Sequence, residues 1–114
     1  MNSKVVNQVN DLIMGFKEIS EISRVLLHGS SLKEGEVRDI DIVIIFKEEF
    51  NFSLADFKLE AVPSLKTLIQ RVSLKPLGLD VTYTSDIDLS NKAKWIPFYN
   101  SILVNGIEIY NSKK

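Results

Sequence analysis

The sequence predicts an α+β fold, a mixed β-sheet flanked by helices, with elements in the order α-β-β-α-β-α-β. Three observations carry this. Apolar residues recur at helical spacing near the N-terminus; two β-type runs follow, separated by a short charged loop; and a helical stretch then leads to a third such run. The short loop makes the first two runs antiparallel neighbours, whereas a helix-bearing link of about thirty residues allows a parallel return.

Val5, Val9, Leu12, Phe16, Ile19 and Ile22 share one helical face, so the spacing predicts a helix over residues 4–22. Residues 24–28, ending at Gly29, read as one strand and Asp39 to Phe46, denser in β-branched side chains, as the next. Ser53 and Asp56 resemble a capping box, and Leu54, Phe57, Ala61, Leu65, Leu68 and Val72 continue one face of a helix kinked or restarted at Pro63. After the break at Pro76-Leu77-Gly78, residues 79–84 form a third strand, parallel to the second. Pro97 opens a last helix carrying Phe98, Ile102 and Leu103, Gly106 caps it, residues 107–110 form a short final strand and 111–114 a tail.

A chain of 114 residues is expected to be one domain, residues 1–114. Its formal charge of -1 gives no electrostatic case for direct nucleic-acid binding. With no cysteine and one histidine, neither a disulfide framework nor a zinc centre is expected, so any metal must be held by carboxylates. Polar residues Asn7, Gln8, Asn10 and Asp11 interrupt the N-terminal apolar positions, unlike a signal peptide, and the apolar run Ile42 to Phe46 is far too short for a membrane span. A cytoplasmic location is expected.

The chemistry concentrates in LLHGSSLKEGEVRDIDIVIIF. Alternation along a strand puts Asp39 and Asp41 on one face and Ile40, Ile42 and Ile44 on the other. Two converging carboxylates beside Val43 and Ile45 repel each other, and a divalent cation resolves the conflict. Magnesium is commonly held by one or two carboxylates with substrate phosphates. A parallel pairing of the second and third strands sets Asp80 beside Asp41, and three carboxylates can hold two ions about an in-line phosphoryl displacement. Gly29 lets a ligand approach the backbone, and Ser30, with the amides of a short helical turn from Ser31 onward, can donate to phosphate oxygens.

Gly29-Ser30, eight intervening residues, Asp39-Ile40-Asp41-Ile42 and a later-strand Asp80 together resemble the signature of the polymerase-β-type nucleotidyltransferase superfamily. The size of the chain and the segment Ile102 to Tyr110 are similar to its minimal nucleotidyltransferases, small proteins often encoded beside a helical HEPN partner. The resemblance implies the polymerase-β-like fold, Mg²⁺ on Asp39, Asp41 and Asp80, a nucleoside triphosphate near Gly29 and Ser30, and Asp80 assisting deprotonation of an acceptor hydroxyl. In members paired with HEPN toxins it implies an antitoxin that moves AMP from ATP onto a tyrosine of the partner. Arg38 stands where the family usually has a small residue, and is read as a contact to phosphate or partner or as a counter-charge.

Two other functions fit the same residues: an inactive antitoxin or scaffold that neutralises its partner by binding, and transfer to a small molecule such as an antibiotic. A homo-oligomer is also compatible. Asp86 and Asp88 repeat the Asp-Ile-Asp tripeptide without a Gly-Ser neighbour and read as loop or helix-start acids. His28 reads as a packing residue, and Lys33 and Lys75 as solvated. Trp95, Phe98 and Tyr99 read as a C-terminal core or oligomer patch in preference to a base-stacking surface.

Overall fold

The computed structural model describes residues 2–32, 35–72 and 77–114, with the side chain of Ser30 left out. Its architecture is α+β. A four-stranded mixed sheet has the order β3-β2-β1-β4, with β1 Ile22–His28, β2 Asp39–Phe46, β3 Gly78–Ser85 and β4 Ile107–Asn111. β2 is antiparallel to β1 and parallel to β3, as the loop lengths predict, and β4 pairs antiparallel with β1. Among the described residues four α-helices cover the two faces: α1 Ser3–Phe16, α2 Pro63–Val72, α3 Asp86–Ala93 and α4 Pro97–Asn105. None is long and apolar enough to cross a membrane.

Strand alternation sorts the core. Ile40, Ile42, Ile44 and Phe46 join Val25 and Leu27 beneath Val5, Val9, Leu12 and Phe16 of α1 and Leu65, Leu68 and Val72 of α2. Val43 and Ile45 face the opposite way, with Leu26, onto Leu89 of α3 and Ile102 of α4. Asp39 and Asp41, in phase with Val43, therefore lie on the face that the two short C-terminal helices only partly cover.

The first helix ends at Phe16 rather than running to residue 22. Ile19 and Ile22 are still buried, because a turn with bonds from Glu18 N–H to Gly15 and from Ile19 N–H to Phe16 folds them back into the same core, where Ile22 opens β1. Burial kept their periodicity while the backbone changed state. The second helix is likewise shorter than expected. Ser53 and Asp56 form a turn, with Asp56 N–H donating to the Ser53 carbonyl at 3.1 Å, and Leu59–Ala61 is a single 3₁₀ turn. Pro63 disfavours helical backbone at Val62 and begins α2 instead of kinking it. Phe52 then stacks on Phe46 at 5.5 Å and Phe57 meets it tilted at 5.3 Å between ring centroids.

α3 is absent from the expected order. Ser85 caps it by accepting from Asp88 N–H at 3.1 Å, Asp88 pairs with Lys92, and Asp86 reaches Arg24 at 2.7 Å. The second Asp-Ile-Asp is thus a helix start, as expected. Gly106 closes α4 through its N–H to Ile102, with φ -63° and not in the left-handed region.

One polar residue ties the N-terminal helix to the start of β3. Gln8 is only 4% exposed; its amide donates to the Leu77 carbonyl at 2.8 Å and accepts from Leu77 N–H at 3.3 Å. Gln8→Leu keeps the volume but strips both partners from buried backbone. The expected loss is about 2 kcal/mol or more, read from urea unfolding; an unchanged midpoint and slope would contradict the role assigned to Gln8.

Candidate functional site

β2 presents its aspartates at the sheet end where β1 finishes and β3 begins. Its register places Asp41 opposite His28 on one side and opposite Asp80 on the other, so three side chains form a row across three strands. Directly paired positions on one face lie about 5 Å apart at Cβ. Asp39, one step toward the strand start, pairs with Gly78. The expected trio Asp39, Asp41 and Asp80 is thus on one face at one sheet end, with Asp39 and Asp80 exposed and Asp41 half-buried.

Gly29 to Leu32 forms a 3₁₀ turn immediately after β1, the short helical turn that the sequence suggests. Gly29 has φ +67°, a conformation few other residues adopt, and a Cβ built on it would stand 2.8 Å from Asp41 Oδ2. Both backbone and space therefore call for glycine there. Ser30 supplies the second residue of the turn. Its side chain, and Lys33 and Lys75, lie outside the described residues.

Ser31, which the sequence marks only as the start of a turn, holds the site together. It is fully buried, and its Oγ accepts from Asp41 N–H at 2.7 Å, locking the turn that follows β1 to the strand that carries the carboxylates. The only signal in the sequence is the doubling of serine after Gly29. Ser31→Ala is expected to cost about 1–3 kcal/mol by leaving that N–H without its acceptor, measured by chemical denaturation; a change under a few tenths would show that the bond is dispensable.

A cavity of about 160 Å³ opens beside the row, walled by His28, Asp41, Asp80, Thr82, Val43 and Phe98. His28 Nε2 is 3.3 Å from Ser101 Oγ, and its ring meets Phe98 edge-on at 5.6 Å. α4 thereby fixes the imidazole against the acids, a placement invisible in the sequence because residues 98 and 101 come from a distant element. The aromatic trio near the C-terminus divides. Phe98 lines the cavity, Tyr99 packs on the Val43–Leu89 cluster with Lys92 5.1 Å above its ring, and Trp95 is 86% exposed and belongs to no core. Arg38 is exposed, and its carbonyl accepts from Gly78 N–H at 3.1 Å.

Among the described residues no group of three or more His, Asp or Glu side chains is placed so that it could hold a metal ion. The donors present are still of the kind a hard cation takes: carboxylate oxygens at an open strand end, beside the amides of a turn that can meet phosphate. Asp39 and Asp41 are the pair that the sequence assigns to such an ion, with Asp80 as the expected third ligand. No protein-family model and no curated protein matches the chain.

Proposed function

We propose that this chain is a Mg²⁺-dependent nucleotidyltransferase with a polymerase-β-like fold, moving a nucleoside monophosphate, AMP from ATP foremost, onto a hydroxyl of a partner protein. The partner that fits the reading is a small helical HEPN-type toxin, which makes the chain its antitoxin, working in the cytoplasm. The observation that carries the proposal is the placement of Asp39, Asp41 and Asp80 on one sheet face at the end where the Gly29–Leu32 turn begins.

In this reading the turn amides receive the triphosphate and the aspartates face its α-phosphorus. Mg²⁺, when bound, neutralises phosphate charge and polarises the reacting oxygens. Asp39 and Asp41 orient the ion, and Asp80 takes the proton from the acceptor hydroxyl. That oxygen forms the new bond to the α-phosphorus, while the bond to the bridging oxygen breaks and pyrophosphate leaves with its electron pair. The protein's share of the rate is positioning and charge neutralisation.

The test incubates the purified chain with labelled NTPs, Mg²⁺ and a helical protein encoded beside it, in parallel with Asp39→Asn, Asp41→Asn. Label on the partner with the native chain alone is expected; transfer that survives in the double variant sinks the site. A second reading, neutralisation by binding without catalysis, is favoured by the exposed apolar side chains of α4 and its approach, where Trp95 is 86% and Val104 71% exposed. It requires that neutralisation persist in the double variant and that ATP binding show no dependence on Mg²⁺.

A further inference from the structure

α4, Pro97–Asn105, carries no charged side chain and is apolar on two opposite flanks. One flank is filled within the chain: Ile102 is fully buried in the cluster of Leu26, Val43 and Leu89, and Tyr99 packs against it. The other is open. Ile96 at the N-cap, Pro97, Asn100, Leu103 and Val104 are all exposed, and they fall three and four residues either side of Asn100, which makes them one helical stripe. A helix with apolar side chains on opposite flanks is expected to be covered on both.

The spacing is the same read in either direction, and this points to the occupant. When two copies of α4 pack antiparallel about a two-fold axis at Asn100, Ile96 of each meets Val104 of the other and Pro97 meets Leu103. The two Asn100 amides meet on the axis, where each can donate to the other's carbonyl and fix the register. An isologous interface needs a surface complementary to itself, and a stripe without charge meets its own copy without like-charge repulsion. The ends match as well. Lys94, exposed just before the helix, comes beside the last carbonyls of the other α4, the negative pole of its dipole. Trp95, 86% exposed, lies over that same last turn. With Trp95 the stripe offers about 500 Å² of exposed surface, so a pair buries about 1,000 Å² in total, the lower bound for a specific interface. A foreign helix would require none of this symmetry.

We propose that α4 is a homodimer interface, in which two copies of the chain pair antiparallel through Ile96, Pro97, Asn100, Leu103 and Val104 with the two-fold axis at Asn100. The proposal goes beyond the transfer reading and uses none of its metal chemistry. Phe98 and Ser101, which meet His28, lie off the stripe, so the pairing does not use the wall of the cavity.

Sedimentation velocity over about 1 to 500 µM is expected to show a reversible monomer–dimer equilibrium with a Kd of about 10 to 100 µM, in keeping with an interface of this size. Trp95 is the single tryptophan of the chain, so its emission is expected to move to shorter wavelength over the same range. Ile96→Glu and Val104→Lys are each expected to weaken the dimer about tenfold or more. An acid at the start of α4 and a base at its end both suit the helix dipole, so neither substitution is expected to unfold the chain. The chain carrying both is expected to return to within about threefold of the native Kd, because each new acid then faces a new base across the axis. A native chain that stays monomeric throughout overturns the proposal, whether or not the variants fold. So does a dimer that the single substitutions leave untouched or that the double one fails to restore. A monomeric chain whose Trp95 emission shifts only when a helical protein encoded beside it is added gives the stripe to that protein, and overturns the proposal too.

Discussion

On the proposed function, the double variant Asp39→Asn, Asp41→Asn is expected to lose nucleotidyl transfer by a factor of about 10³ or more, since it removes the groups that would orient a cation on the reacting phosphate. The fold should survive it. Asp39 is exposed and Asp41 half-buried, and both sit at the start of β2 rather than in its core. Asparagine fits the same space, so the variant is expected to stay folded, as circular dichroism would show. Unfolding of the variant would place these side chains among the structural residues; a stable variant with native transfer would remove them from the chemistry.

The largest loss of stability is expected at the other end of the same strand. Phe46 is fully buried, and the rings of Phe50, Phe52, Phe57 and Tyr83 lie between 4.7 and 6.2 Å from it, centroid to centroid. The segment between β2 and α2 contains only single 3₁₀ turns, so this cluster rather than helical hydrogen bonding fastens it to the sheet. The cluster also explains Tyr83, whose phenol burial pushes above its ordinary pKa of 10.0. Phe46→Ala is expected to cost about 3–5 kcal/mol, a large part of the stability of a domain this size. Urea denaturation measures it; a loss below about 1 kcal/mol would mean that the segment is held by something else.

The strands and their senses were legible because two strong signals agree: runs of β-branched residues fix where β1, β2 and β3 lie, and link lengths fix which pairs are parallel. That reasoning also anticipated Asp80 beside Asp41. Helix limits were less legible, since apolar periodicity reports burial and not backbone state. Ile19 and Ile22 keep the α1 spacing after the helix has ended, and Phe57 keeps the α2 spacing before it has begun. α3 is not legible in the sequence because its buried apolar face reduces to Leu89, while its start is set by Ser85 and by bonds from Thr84 and Lys92 to Asp88.

Within the candidate site, the acids and Gly29 could be named from the sequence; their supports could not. Ser31 acts on Asp41 through a hydrogen bond between turn and strand, and His28 is set by α4. Each is a fact of tertiary packing. No local pattern of residue types encodes it.

The most direct measurement of the central claim compares ATP labelled at the α-phosphorus with ATP labelled at the γ-phosphorus, each incubated with the native chain, Mg²⁺ and the partner protein. Transfer of a nucleoside monophosphate requires the α-label to appear on the acceptor, with pyrophosphate released in equal amount and no γ-label retained. Label arriving from the γ-position, or α-label transferred equally well with Mg²⁺ removed by chelation, would contradict it.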